Sequence, residues 1–427
     1  MPPAHSILVP HPAAILPFVA LLIAIAVLPL KSKHWWEKYY PYVTIGLALP
    51  TAIYYLAALH NGGRLLHSLE EYFSFITLLG ALFVISGGIH LRAEGTATPT
   101  ENTLLLGIGA VLANLVGTTG ASMLLIRPYI ALNRARWHAY HAVFFIFIVS
   151  NCGGALTPIG DPPLLLGYLR GIPFFWTMEH LWPMWLVGVG MLLAIFWAWD
   201  SNAARERLRS LRSDAPTRLG HISGAPNFGI LAIVLASVFV TKPIFLREFI
   251  WITAAVISYV TTKREIHRLN EFLFQPIREV AILFAGIFVT MIPALDWLEA
   301  NAKSLPLSSD GGFYWGSGLL SSVLDNAPTF LTFLSAAAGA NALSIQNPAD
   351  VLTLATQHSG LVKAIAVGCV FFGAMTYIGN GPNFMVKSII EHAKLPCPHF
   401  FDYIVRFAIP ILLPVLVLVW ALLFVSY

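Results

Sequence analysis

The chain has 427 residues, of which 57% are hydrophobic and only 11% are charged, and its mean hydropathy is +0.73. Because a soluble domain carries about 25% charged residues, this composition excludes an ordinary soluble fold and predicts an integral membrane protein. The formal net charge of +4 comes from Lys and Arg residues that lie between apolar segments, where they set orientation and do not indicate nucleic-acid binding.

Apolar segments long enough to span a membrane recur along the whole chain, so we predict an all-α polytopic membrane protein. The first, residues 13–30, follows no basic region and precedes no small-residue cleavage site, so we expect it to be retained. Residues 103–126 and 313–339 are apolar but interrupted, and we expect each to form a re-entrant hairpin. About ten full spans are predicted besides these two hairpins, at residues 13–30, 41–59, 72–91, 137–170, 181–199, 226–241, 247–261, 277–296, 359–387 and 403–426.

The basic residues predict the sidedness of the protein. With the N-terminus outside, 19 of the 25 Lys and Arg residues fall on the inner side, including those of an Arg-rich loop at 205–218. Making 103–126 a full span would move that loop outside, which favours the hairpin. We therefore expect a multi-pass protein of a bacterial plasma (inner) membrane.

Two segments repeat the pattern T-x-I-G-[D/N]-x-P, one in each half of the chain. Residues 157–163 read Thr-Pro-Ile-Gly-Asp-Pro-Pro, and residues 376–382 read Thr-Tyr-Ile-Gly-Asn-Gly-Pro. A membrane helix tolerates such breaks only where the backbone is buried or lines a cavity, and paired breaks indicate the binding site of a transporter. We predict one integral membrane domain (1–427) with two inverted-topology repeats. Its parts are N-terminal helices (1–69), repeat 1 (70–199), a connector with two spans (200–276) and repeat 2 (277–427).

The four interruptions, two hairpin tips and two broken spans, carry the candidate ion-binding residues. Their hydroxyl, amide and carboxylate oxygens are the ligands that hard cations prefer. A carboxylate at the bilayer centre costs roughly 2.5–3.5 kcal/mol and is a functional candidate by default. Helix capping alone is an equally good explanation of any single one of these residues. The candidates are Asn114, Thr118, Thr119, Asn151, Gly153, Thr157, Asp161, Asp325, Asn326, Thr329, Thr376, Asn380 and Asn383.

The segments Ser-Asn-Cys-Gly-Gly-Ala-Leu-Thr-Pro-Ile-Gly-Asp (150–161) and Leu-Asp-Asn-Ala-Pro-Thr (324–329) resemble an ion-transporter superfamily. It includes NhaD-type sodium/proton antiporters, arsenite exporters and citrate-type carriers, and the resemblance runs over roughly residues 70–425. It implies a homodimer with elevator-like alternating access. The sodium/dicarboxylate branch has Ser-Asn-Thr in both hairpin regions, whereas here Cys152 follows Ser150-Asn151 and no second copy exists. The ion-site roles that the resemblance implies fall on Asn151, Thr157, Asp161, Asp325 and Asn326, with sodium held through Asp161, Asn151, Asp325 and Asn326.

These observations predict a secondary active transporter, not an enzyme, that exchanges sodium ions for protons and needs no cofactor. Desolvation favours the protonated form of a carboxylate and a nearby cation favours the ionised form, so one Asp can hold either ion. One alternative keeps the carrier and changes its cargo to citrate, another dicarboxylate or arsenite. A remote alternative is an intramembrane aspartyl protease with Asp161 and Asp325 as its dyad, although the usual G-x-G-D and Y-D pairs are missing.

Overall fold

The computed structural model describes residues 9–208, 218–240, 242–304 and 309–424, and their regular structure is almost entirely helical. Within these ranges, eight helices are long and apolar enough to cross a membrane, or nine if a pair bent by 95° counts as one span. The predicted class of all-α polytopic membrane protein is confirmed. These eight include residues 99–136, which contain the segment predicted as a hairpin and not as a span. They leave out the spans predicted at 226–241 and 247–261, which form helices of only 12 and 16 residues.

The elements up to residue 208 are α1 (Leu16–Lys31), α2 (Lys33–Ile53), α3 (Gly62–Gly87), β1 (His90–Glu94), α4 (Pro99–Asn133), α5 (Ala139–Ile148), α6 (Pro162–Arg170) and α7 (Trp176–Leu208). The later elements are β2 (Arg218–Ser223), α8 (Pro226–Ser237), α9 (Leu246–Thr261), α10 (Arg264–Leu269), α11 (Gln275–Thr290), α12 (Ile292–Asn301), α13 (Asp310–Ser321), α14 (Asn326–Ala340), α15 (Pro348–Gln357), α16 (Ser359–Phe372), α17 (Gly381–His392), α18 (Phe400–Tyr403) and α19 (Leu413–Leu423). Single π-helical stretches follow α2 (Tyr54–Ala58) and α18 (Ile404–Leu412).

Helix α4 folds back on itself, as expected for the first hairpin. Its 35 residues would extend about 52 Å as a straight helix. Instead its two ends meet, because the side-chain amides of Asn102 and Asn133 exchange hydrogen bonds of 2.8 and 2.7 Å. The reversal lies at Gly117, where φ is +78° and ψ is 155°. Only glycine adopts that backbone conformation without a steric penalty.

The other three interruptions are also breaks between short helices. Residues 322–325 separate α13 from α14, and neither helix reaches the roughly 20 residues that a span needs. Residues 149–161 separate α5 from α6, and residues 373–380 separate α16 from α17. The two halves thus share an order of elements, while their inverted relation and the repeat boundaries stay predictions.

The core lies around α5 and α16, whose residues are almost all buried, whereas only 17% of the window containing α2 is buried. A feature that the sequence did not predict is the antiparallel pair β1–β2, in which His90 lies opposite Ser223. The predicted span 72–91 is therefore wrong at its end, because its last two residues belong to β1. Most of the Arg-rich loop lies at 209–217, outside the described residues.

Candidate functional site: a buried polar cluster at four chain breaks

The carboxylate of Asp161 accepts hydrogen bonds from the three other interruptions. Its Oδ1 accepts from the hydroxyl of Thr118 at 2.7 Å and from Nδ2 of Asn380 at 3.0 Å. Its Oδ2 accepts from Nδ2 of Asn326. All four side chains are at least 98% buried. Residues that are 43, 165 and 219 positions away from Asp161 therefore converge on one carboxylate.

Helix capping does not account for Asp161. It occupies the N-cap position of α6, but its side chain makes no capping hydrogen bond, and Asn380 likewise makes none at the start of α17. Asp325 behaves differently, because its Oδ1 accepts from the backbone N–H of Ala327 at 3.0 Å and caps α14. The capping explanation thus holds for Asp325 and fails for Asp161 and Asn380.

A second set of amides extends the cluster from Asn380. Nδ2 of Asn380 also donates to Oδ1 of Asn151 at 3.1 Å, and Nδ2 of Asn151 donates to Oδ1 of Asn383 at 2.6 Å. Asn383 in turn donates to the backbone oxygens of Gly373 and Thr376, at 2.8 and 2.9 Å. These bonds fix the orientation of each amide and join the break after α5 to the break after α16.

Matching contacts hold the two T-x-I-G segments in place. The hydroxyl of Thr157 donates to the backbone oxygen of Asn114 at 2.6 Å, and that of Thr376 donates to the backbone oxygen of Ser322 at 2.6 Å. Each threonine thereby ties its broken span to the neighbouring hairpin tip. Asn114 adds a bond from Nδ2 to the backbone oxygen of Gly153 at 2.7 Å. These residues shape the cluster without touching Asp161.

Three of the predicted site residues make no hydrogen bond to this cluster in the described structure. Thr119 is half-buried and faces the cavity beside Asp161. Thr329 donates to the backbone oxygen of Asp325, four residues earlier, at 2.9 Å. Because Asp325 caps α14, its carboxylate is engaged with backbone, and no hydrogen bond joins it to Asp161 among the described residues.

The space and the spare oxygen near Asp161 suit a very small ligand. Oδ1 of Asn326 is fully buried and has no hydrogen-bond partner. A cavity of about 20 Å³ adjoins Asp161 and Thr118, walled by apolar side chains such as Leu82 and Ile159. That volume is about what one water molecule needs. A buried acceptor without a donor is costly, which makes this oxygen a ready ligand for a cation.

Sequence reasoning missed two contributors to the cluster. They are Ser122 and Ser150, whose hydroxyls share a hydrogen bond of 2.8 Å. In addition, the backbone N–H of Thr118 donates to the backbone oxygen of Gly160 at 2.8 Å. Ser150 precedes Asn151 in the first broken span, so its position in the sequence could have indicated a role in the cluster. Ser122 lies in the second arm of α4 and offered none.

An all-α polytopic fold with a buried polar cluster where its helices break is the architecture of a membrane transporter. The chain belongs to the family described as "Putative citrate transport", whose model matches residues 9–424. It is also similar to a "46 kDa membrane protein" of Mycobacterium leprae (strain TN), with 25% identity over 328 residues, which cover 71% of this chain and 72% of the relative. The chain is therefore a multi-pass membrane transporter.

Proposed function

We propose that this transporter exchanges sodium ions for protons and that Asp161 binds both ions in turn. The observation that carries the proposal is the convergence of Thr118, Asn326 and Asn380 on the Asp161 carboxylate. One negative charge surrounded by neutral hydroxyl and amide groups matches a monovalent cation. The residues come from all four interruptions, so ion binding there would depend on the relative position of the two halves of the chain.

The amide groups allow the same cluster to serve either ion. In the structure the NH₂ groups of Asn326 and Asn380 donate to Asp161. A half-turn of either amide exchanges its nitrogen and oxygen, so it would then offer an oxygen to a cation beside the carboxylate. The cavity of about 20 Å³ supports a single small ion. A proton on Asp161 would remove the charge that attracts sodium, which makes the two ions competitors.

The family description favours a second candidate, a citrate carrier. The N-termini of α6, α14 and α17 meet at the cluster, and helix N-termini attract anions. Asp161, however, already places a carboxylate among these N-termini, and a citrate carboxylate would be repelled by it. The small cavity also opposes a six-carbon anion in this conformation. These two observations support the sodium/proton exchanger over the citrate carrier.

Proton and sodium fluxes in proteoliposomes test this proposal. We expect a sodium gradient to drive protons the opposite way through the wild-type protein and labelled citrate to stay outside. Asp161→Asn should abolish the exchange. Asp325→Asn is the matched control, since it changes the carboxylate that caps α14, and it should retain measurable exchange.

Two results would count against the proposal. Exchange that survives Asp161→Asn would remove Asp161 from the mechanism. Sodium-dependent citrate uptake without any sodium-driven proton flux would favour the citrate carrier.

We also propose that the protein resides in a bacterial inner membrane with its N-terminus outside. The distribution of Lys and Arg supports this orientation. Single cysteines at two positions would test it. His60 immediately precedes α3, and Ser201 lies in the C-terminal part of α7. An impermeant thiol reagent applied to intact cells should label His60→Cys and not Ser201→Cys, and the reverse pattern would invert the orientation.

A further inference from the structure

A second group of buried charges lies away from Asp161. Five ionisable side chains, each no more than 7% exposed, meet between α3, α6 and α12. Two are cations and three are carboxylates, so the group cannot be neutral if every member is ionised. Its members are Arg64, Glu71, Arg170, Asp296 and Glu299.

Each arginine has a carboxylate of its own. Nε and Nη2 of Arg64 both lie 3.1 Å from Oδ1 of Asp296, whose Oδ2 accepts from the hydroxyl of Tyr55 at 2.8 Å. Arg170 binds Glu71, with Nη2 and Oε2 separated by 2.6 Å. Each cation therefore has one carboxylate partner, and the third carboxylate, Glu299, forms no ion pair with either arginine among the described residues.

Glu299 has few partners although it is only 5% exposed. Among the described residues, the hydrogen-bond donors to its carboxylate are the backbone N–H of Ile345, 3.3 Å from Oε2, and the side chain of Ser344. Lys303, one turn further along, is exposed and forms no ion pair with Glu299 within the described structure. A buried ionised carboxylate with so few partners is strongly disfavoured, and binding a proton removes that penalty.

The neighbours of Glu299 reinforce this conclusion. Asp296 lies three residues earlier on α12, hence on the same helix face, and like charges at that spacing repel. Helix α14, which packs along α12, contributes no titratable side chain. The titratable groups on the surrounding elements are Tyr55, Arg64, His67, Glu71, Arg170, Asp296, Lys303 and Asp350, and both arginines are already paired.

This charged group is connected to the Asp161 cluster by two helices. Helix α6 starts after Asp161 and ends at Arg170, whose Nη1 donates to the backbone oxygen of Ile345 at 3.2 Å. Helix α14 starts at Asn326 and leads into residues 341–347, the segment that contains Ile345. Two of the three helices that begin at the polar cluster, α6 and α14, therefore end against the same short segment.

We propose that Glu299 is a proton-binding carboxylate, separate from Asp161, and that its protonation holds segment 341–347 closed over the paired arginines. With a proton, Glu299 lies in the interior without unbalanced charge and keeps its contact with Ile345. Once ionised, it repels Asp296 and draws in water, which opens the segment. This opening loosens the ends of α6 and α14. The inference does not depend on which ion Asp161 carries.

Carbodiimide labelling of the wild-type protein tests the protonation directly. Dicyclohexylcarbodiimide attacks protonated carboxyls in apolar surroundings, and peptide mass spectrometry locates the adduct. We expect Glu299 to be labelled, with labelling falling as the pH rises. Glu71 and Asp296, each paired with an arginine, are internal controls and should stay unlabelled. Labelling of those two in preference to Glu299, or an unlabelled Glu299 at every pH, would overturn the proposal.

Amide hydrogen exchange tests whether ionisation of Glu299 opens segment 341–347. After correction for intrinsic rates, protection of residues 341–347 in the wild-type protein should fall at least tenfold as the pH rises. Glu299→Gln, which cannot ionise, should keep the segment protected, and Asp350→Asn, which alters another carboxylate bonded to the segment, should behave like wild type. Identical pH profiles for wild type and Glu299→Gln would contradict the proposal. Neither experiment measures transport, so failure here is distinct from failure of the exchanger proposal.

Discussion

Asp161 and Asn380 occupy equivalent positions in the two T-x-I-G segments, and Nδ2 of Asn380 donates to Oδ1 of Asp161 at 3.0 Å. The two copies of one motif, 219 residues apart, thus bond to each other at one of the positions where they differ, Asp against Asn. Because only Asp161 can carry a charge, the neutral amide of Asn380 can donate a hydrogen bond to it. Two aspartates here would repel instead.

Asn380→Asp should therefore disable sodium binding. It would place a second carboxylate at about 3 Å from Asp161, and two such groups cannot both stay ionised in a buried site, so they would share a proton. We expect proton retention and loss of sodium-driven exchange at neutral pH. Asn341→Asp, which alters an amide that bonds only to its own helix, is the control. Unchanged exchange in Asn380→Asp would show that this pair lies outside the ion site.

Thr118 and Thr119 offer a matched pair of substitutions at the first hairpin tip. Thr118→Val removes a hydroxyl that donates to Asp161 at 2.7 Å, and a hydrogen bond to a charged group contributes about 1.5–3 kcal/mol. We expect the apparent sodium affinity to fall by roughly 10- to 100-fold, because 1.4 kcal/mol corresponds to a factor of ten. Thr119→Val should change it by less than about threefold. Equal effects of the two would mean that the Thr118 bond is irrelevant to ion binding.

Gly117→Ala should destabilise the first hairpin. A side chain at φ +78° costs roughly 1–2 kcal/mol, and the added Cβ would lie 3.3 Å from the backbone oxygen of Ile159. We expect a lower midpoint of thermal unfolding in detergent. Gly190→Ala is the comparison, since its Cβ would meet nothing within 4 Å and alanine favours a helix. A midpoint in Gly117→Ala at or above that of wild type would contradict the reversal at Gly117.

The positions of the four breaks could be predicted from sequence because they rest on local chemistry. Glycine and proline within apolar segments favour helix breaks, and Gly117 and Pro162 mark two of them here, although Pro128 and Pro183 lie inside helices. Helix capping was an equally good explanation of Asp325 from the sequence, and Asp325 does cap α14. Local chemistry did not reveal that Asp161 leaves its own helix uncapped to bond Asn326, 165 residues away, because that choice depends on how the halves pack.

Long-range charge pairing was the other feature that could not be predicted from the sequence. Glu71 is buried and bound to Arg170, 99 residues later. Neither residue has a local partner that indicates the other. The strands β1 and β2 were missed for the same reason, since each is short and acquires its hydrogen bonds only from the other.

Cys397, which lies between α17 and α18, should be unreactive at neutral pH. Burial raises the pKa of its thiol to about 11, and the hydroxyl of Tyr377 lies 3.5 Å from its sulfur. Because the thiolate is the reactive form, alkylation by iodoacetamide should be slow at pH 7 and accelerate about tenfold per pH unit up to pH 11. Mass spectrometry of the alkylated peptide measures the rate. Fast alkylation at pH 7 would show that Cys397 is more exposed than the structure has it.

Direct sodium binding to the purified protein tests the central claim most sharply. Radioactive sodium or isothermal titration calorimetry would be applied to the wild type, Asp161→Asn and Asp325→Asn in detergent, at a pH where the wild type exchanges ions. We expect saturable binding to the wild type and to Asp325→Asn, and none to Asp161→Asn. Undiminished sodium binding by Asp161→Asn would contradict this expectation.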